Sequence, residues 1–93
     1  MRMLNSVLLE GFVVGTPVQN GTTHTVFHLE DRDGEEVNIF EIRAYGREAQ
    51  SQAIQLSKGQ TCRIVGRARQ TGEEAWFVAE VIEMKPRLAG NDP

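Results

Sequence analysis

The stretch "VNIFEIRAYGREAQSQAIQLSKGQTCRIVGRAR", Val37–Arg69, decides the fold. It opens as a period-two alternation in which Phe40, Ile42 and Ala44 take one parity and Ile39, Glu41, Arg43 and Tyr45 the other, the pattern of a strand with one apolar face. Gly46 breaks the pattern. Helix formers then run from Arg47 to Leu56, with Ala49, Ala53 and Leu56 spaced i, i+4, i+7, and Gly59 stands where a helix would stop. Alternation resumes from Thr61 to Arg69, with Cys62, Ile64 and Ala68 expected inward and Arg63, Val65, Arg67 and Arg69 outward. The segment reads as strand, short helix, strand.

Working outward from it, Asn5–Val14 alternates Val7, Leu9, Gly11 and Val13 against Leu8, Glu10, Phe12 and Val14, a strand with few polar positions. A small domain seldom covers both faces of such a strand, so Leu8, Phe12 and Val14 are expected at a subunit interface, with Phe40 joining them from the third strand. Pro17 and Asn20-Gly21 mark a break and a tight turn, and Thr23–Glu30 forms a second strand with Phe27 and Leu29 on one parity. Asp33-Gly34 turns the chain into the third strand, Val37–Tyr45; Thr71-Gly72 turns it into the last, Ala75–Met84. Three strands, a helix and two more strands, with Gly11 and Gly66 inside strands where small barrels bend, is the order of an OB-fold. The expectation is therefore an all-β chain: a five-stranded Greek-key barrel with one short helix between strands 3 and 4, over residues 1–86, and a short disordered tail over 87–93.

At 93 residues the chain holds one small domain, and 40% hydrophobic with 25% charged residues is an ordinary globular composition. No apolar run approaches the ~20 residues that span a bilayer, and the first residues lack the pattern of a secretory signal. One cysteine, Cys62, cannot form an internal disulfide; in "TCRIVG" it reads as a small buried hydrophobe. The net charge of -3 hides an uneven distribution. Arg43–Arg69 carries six basic residues against Glu48 alone, whereas Glu30–Glu41 sets six acids against Arg32.

Catalytic and metal chemistry find little support. His24 and His28 would share a helix face, but on a strand the same spacing puts them roughly 13 Å apart. Ser6, Ser51 and Ser57 sit in no nucleophile motif, Glu35-Glu36 and Glu73-Glu74 fall at turns, and a phosphate-binding glycine loop is absent. No enzyme activity, cofactor, metal or small-molecule substrate is expected. Single-stranded nucleic acid is held by cations that track phosphates and by rings on which bases stack. Tyr45, Arg43 and Arg47 supply those types together, and Arg67 and Arg69 add cations on the outer face of the fourth strand. Of the adjacent Trp76 and Phe77, which must point opposite ways, Trp76 is expected outside.

"NSVLLEGFVVGTP" (Asn5–Pro17), "YGREAQSQAIQLSKGQTCRIVGRAR" (Tyr45–Arg69) and "VAEVIEMK" (Val78–Lys85) resemble the bacterial single-stranded DNA-binding protein family over about nine-tenths of the chain. The most specific part is the middle block: an aromatic-Gly-basic triplet, a helix, Lys-Gly, and a strand ending Gly-x-hydrophobic-Arg. The resemblance implies a stacking role for Tyr45 and DNA contacts for Arg47, Lys58 and Arg69. It also implies assembly as a homodimer or homotetramer, partly through the first strand, a place in DNA replication, repair or recombination beside other proteins of those processes, and a bacterial cytoplasmic, nucleoid-associated location. The primosomal replication protein N is similar in length and in "VFHLEDR" (Val26–Arg32); it stands for an alternative, an accessory OB module working mainly through protein contacts with weak DNA affinity. The departures are specific. Ile39 stands where the family stacks a tryptophan, Glu41 replaces a nearby basic residue, the family's tryptophan following the fourth strand has no counterpart near Thr71, and the acidic, aromatic tip that recruits partners in the family has no counterpart.

Overall fold

The computed structural model describes residues 4–84, so the expected boundary at residue 86 and the tail beyond it lie outside the described residues. Five strands and one helix follow in the order β1 (Val7–Asn20), β2 (His24–Asp33), β3 (Glu36–Tyr45), α1 (Arg47–Ala53), β4 (Thr61–Thr71) and β5 (Glu74–Met84). The sheet closes on itself as β1-β2-β3-β5-β4. All pairings are antiparallel except a short parallel seam between β3 and β5, where Ile42 meets Phe77 and Arg43 meets Val78.

Closure falls to β1, which serves two neighbours: Val7–Phe12 pairs with β4, and Phe12–Asn20 with β2. The strand does not stop at Pro17, as the sequence pattern implies, because the register shift between Val14 and Val18 makes room for the proline within a bulge, where it interrupts no regular ladder. Two glycines permit the tight curvature. A Cβ on Gly11 would lie 2.5 Å from the carbonyl oxygen of Glu30, and one on Gly66 only 1.8 Å from that of Val78, beside the register shift in β4.

Inward-facing side chains fill the barrel: Val13, Phe27, Leu29, Ile42, Ala44, Cys62, Ile64, Ala79 and Ile82. Ala53 of α1 and Leu56 just beyond it close one end. The helix stops three residues short of the predicted Leu56, since Gln55 and Leu56 donate back to Gln52 and Ala53 in tighter i to i-3 bonds, yet Leu56 still reaches the core. A buried hydroxyl ties helix to sheet: Thr25 Oγ1 donates to Gln50 Oε1 at 3.2 Å. Behind α1, the Gly59 N–H donates to the Val13 carbonyl and the Val13 N–H to that of Gln60.

One expected orientation is overturned. Ala68 is exposed rather than inward, because the β1–β4 ladder ends at Gly66 and from Arg67 onward β4 pairs only with β5; Asn5 clasps its edge by bonding both the N–H and the carbonyl of Ala68. Phe40, expected at a subunit interface, shares the parity of Ile42 and packs half-buried against the core, where its ring meets Phe77 edge-on at 5.5 Å between centroids.

Gly66→Ala should lower stability by about 3 kcal/mol, the upper part of the usual overpacking cost, because the added carbon meets backbone rather than a movable side chain. A urea midpoint close to that of the wild type would contradict this packing. Burial pushes the Cys62 thiol up to about 11 from 9.0. It should therefore resist a thiol reagent at pH 8 in the native chain and react only as fast as the chain opens, a rate readable by mass spectrometry.

Candidate nucleic-acid interface

Residues directly opposite each other in a ladder share a face, so the register fixes what stands together on the outside of the barrel. Arg69 is paired with Trp76 and Arg67 with Val78 across the β4–β5 hairpin; Val78 is paired with Arg43 across the parallel seam; Tyr45 lies two residues on from Arg43. Tyr45, Arg67, Arg69, Trp76 and Val78 line one shallow hollow of about 290 Å³. Tyr45 is 41% exposed, and its ring lies 4.9 Å from that of His24, its partner on β2, at a tilt of 34°. His24 carried no functional signal in the sequence. Its place beside Tyr45 follows only from strand register.

Trp76 is not the open outward ring the sequence suggested. It is half-buried because the guanidinium of Arg43 lies over its face, 3.9 Å from the ring centroid, an arrangement worth about 1–2 kcal/mol where solvent is largely excluded. The Arg43 side chain is 20% exposed and is held by carboxylates: Nε donates to Glu41 at 2.7 Å, and Nη2 lies 3.8 Å from Glu74. Burial works against the charge of Arg43, but hydrogen bonding to Glu41 and to Tyr45 outweighs it and raises the pKa above its ordinary value. The indole Nε1 of Trp76 is buried with no acceptor among the described residues.

The cations are gathered, but most are not free. Arg67 Nε pairs with Glu80 at 2.9 Å, and Arg63, further along β4, is held between Glu10 and Glu83. Around the hollow the charges of Arg43, Arg67 and Arg69 are matched by those of Glu41, Glu74 and Glu80, and Arg69 alone of the three makes no ion pair among the described residues. These acids sit on neighbouring strands and even on the strand of Arg43 itself, so a count along the chain overstates the local positive charge. Arg47 sits at the start of α1 and lines an adjoining hollow of about 570 Å³ that also includes Tyr45 and Val78. Lys58 does not join this face; it borders a separate hollow with Phe12, Val14, Glu30 and Arg32. Of the residues expected at a subunit interface, Leu8 and Phe12 are exposed, at 64% and 49%, and Val14 is half-buried. Leu8 continues through its ladder partners Val65 and Val81 as an apolar row across three strands.

No family model matches the sequence, and no curated protein matches it. Solved structures do match. The small single-stranded DNA-binding protein of Mycoplasma pneumoniae aligns with a TM-score of 0.69 at 24% identity, over 91% of this chain and 97% of the other. A deletion mutant of the single-stranded DNA-binding protein of Thermus aquaticus gives 0.74 at 24%, over 90% of this chain and 42% of the other. The Stn1–ten1 complex of S. pombe gives 0.73 at 15%, over 88% of this chain and 59% of the other. At these identities the likeness establishes the fold, the OB barrel shared with bacterial single-stranded DNA-binding proteins. The chain spans about half the length of the last two.

Tyr45→Ala should change stability by no more than about 1 kcal/mol, as expected for an exposed ring off the core, whereas Ile42→Ala, three positions before it and fully buried, should cost about 2–5 kcal/mol. Chemical denaturation of the two variants compares them directly; equal losses would mean that Tyr45 serves packing.

Proposed function

We propose that this chain binds single-stranded DNA without catalysis, bases stacking on Tyr45 and phosphates lying along Arg69, Arg67 and Arg47. One observation carries the reading: an exposed aromatic ring from β3 and two arginines from β4 converge on one hollow, completed by Trp76 and Val78 of β5. A base–ring stack contributes about 1–3 kcal/mol whatever the base, and cations beside it hold the backbone. The fold agrees with that of solved bacterial single-stranded DNA-binding proteins. Self-association through the outer side of β1, where Leu8 and Phe12 stand exposed beside Val65 and Val81, would place more than one hollow along a strand. A role in DNA replication, repair or recombination in the bacterial cytoplasm follows from the resemblance of the sequence.

The second reading is an accessory OB module with weak DNA affinity that works through protein contacts. What favours it is the matching of Arg43 and Arg67 by acids, since a cation already paired gives up that partner when it meets a phosphate. Titration with oligothymidylate at two salt concentrations, followed by intrinsic fluorescence, separates the two. Stacking and phosphate contact give saturable binding whose log K falls linearly with log salt; Tyr45→Ala weakens it by about 1–3 kcal/mol. Absence of saturable binding, or full affinity in that variant, would move the function to the second reading or remove Tyr45 from the site.

A further inference from the structure

We infer that Glu41 and Glu74 hold Arg43 as a latch over Trp76, and that the latch competes with nucleic acid for both the guanidinium and the ring. The inference rests on the proposed nucleic-acid reading and adds to it a control on affinity by two acids. Three observations meet at one place. The guanidinium covers the Trp76 face at 3.9 Å, so a base cannot stack there while Arg43 stays in position. Arg43 is clamped from its own strand by Glu41 at 2.7 Å and from the β4–β5 hairpin by Glu74 at 3.8 Å, so its charge is satisfied before any phosphate arrives. The Trp76 indole N–H is buried and finds no acceptor among the described residues, so no hydrogen bond from the ring to them holds the closed arrangement.

Opening the latch is an exchange of like for like. A phosphate oxygen takes the place of the Glu41 carboxylate on the Arg43 Nε–H, the guanidinium swings off the indole, and a base takes the face it leaves. Glu41 therefore works against binding although it touches no ligand. Removing its charge while keeping its shape should release Arg43 toward phosphate and tighten binding.

The test uses Glu41→Gln, with Glu83→Gln as a control that removes the same charge beside Arg63, further along the β4–β5 ladder and away from Trp76. Trp76 is the sole tryptophan, so its fluorescence reports this place alone. In the protein without nucleic acid, Glu41→Gln and Arg43→Gln should both raise quenching of Trp76 by acrylamide, and Glu83→Gln should not. With oligothymidylate, Glu41→Gln should bind about two- to fivefold tighter than wild type, the strength of a partly exposed ion pair. Its slope of log K against log salt should steepen by about 0.7, the mark of one added phosphate contact on a single strand. If the wild type binds but Glu41→Gln matches Glu83→Gln in quenching, affinity and slope, the latch is overturned and the nucleic-acid reading stands. If neither wild type nor any variant binds, the nucleic-acid reading falls and takes the competition with it.

Discussion

Closing a barrel of only five strands brings backbones nearer to each other than a side chain allows, and the molecule meets this constraint at Gly11 and Gly66. The consequence at Gly66 reaches the functional face. Because β4 can press against the Val78 carbonyl there and shift register, its far half runs on beyond its β1 ladder paired with β5, and the hairpin carries Arg67, Arg69 and Trp76 beside the end of β3. Tyr45, the last residue of β3, is thereby given neighbours from strands far away in the chain. Without the sharp bend the same side chains would be distributed around a wider, open sheet.

Electrostatics on that face is a matter of partners rather than totals. The chain is acidic overall and basic in its middle, and the register decides which of those charges meet. Glu41 and Arg43 share a parity on β3, and Glu80 stands near Arg67 across the hairpin, so the basic middle is threaded with acids from either side. Pairs of this kind, partly open to water, contribute little to stability. They matter more for how strongly the face attracts a polyanion and for how steeply that attraction depends on salt.

Much of this architecture was legible in the order of residues. The two parities of β3 put Ile42 and Ala44 inside and Arg43 and Tyr45 outside, and the turn glycines placed every hairpin to within a residue or two. What escaped reading depended on tertiary position. Pro17 looked like a strand end because a proline breaks a regular ladder, and nothing local announces a bulge that accepts it. Ala68 kept inward parity but ran past the end of the core, and strand length relative to barrel height is not written in any short motif. The surroundings of Phe40 and Trp76 escaped for related reasons: one found an edge-on aromatic neighbour, the other a guanidinium lid, both supplied across the short parallel seam between β3 and β5. Lys58 lies apart from the hollow beside Tyr45 since the loop after α1 is bonded back to β1.

The same β1 that closes the barrel also sets the order in which it can be completed. Its first half waits for β4, so Val7 and Leu9 must find Gly66 and Ile64 across most of the chain. A chain emerging from a ribosome can form the β1–β2–β3 meander early, while the other half of β1 and the free side of β3 remain open edges until α1, β4 and β5 have been made. Ring closure of such long range is slow relative to hairpin formation, and open edges invite pairing with other chains in the interval. Newly made copies are thus most exposed to misassembly in the interval when the meander is built and its closing strands are not.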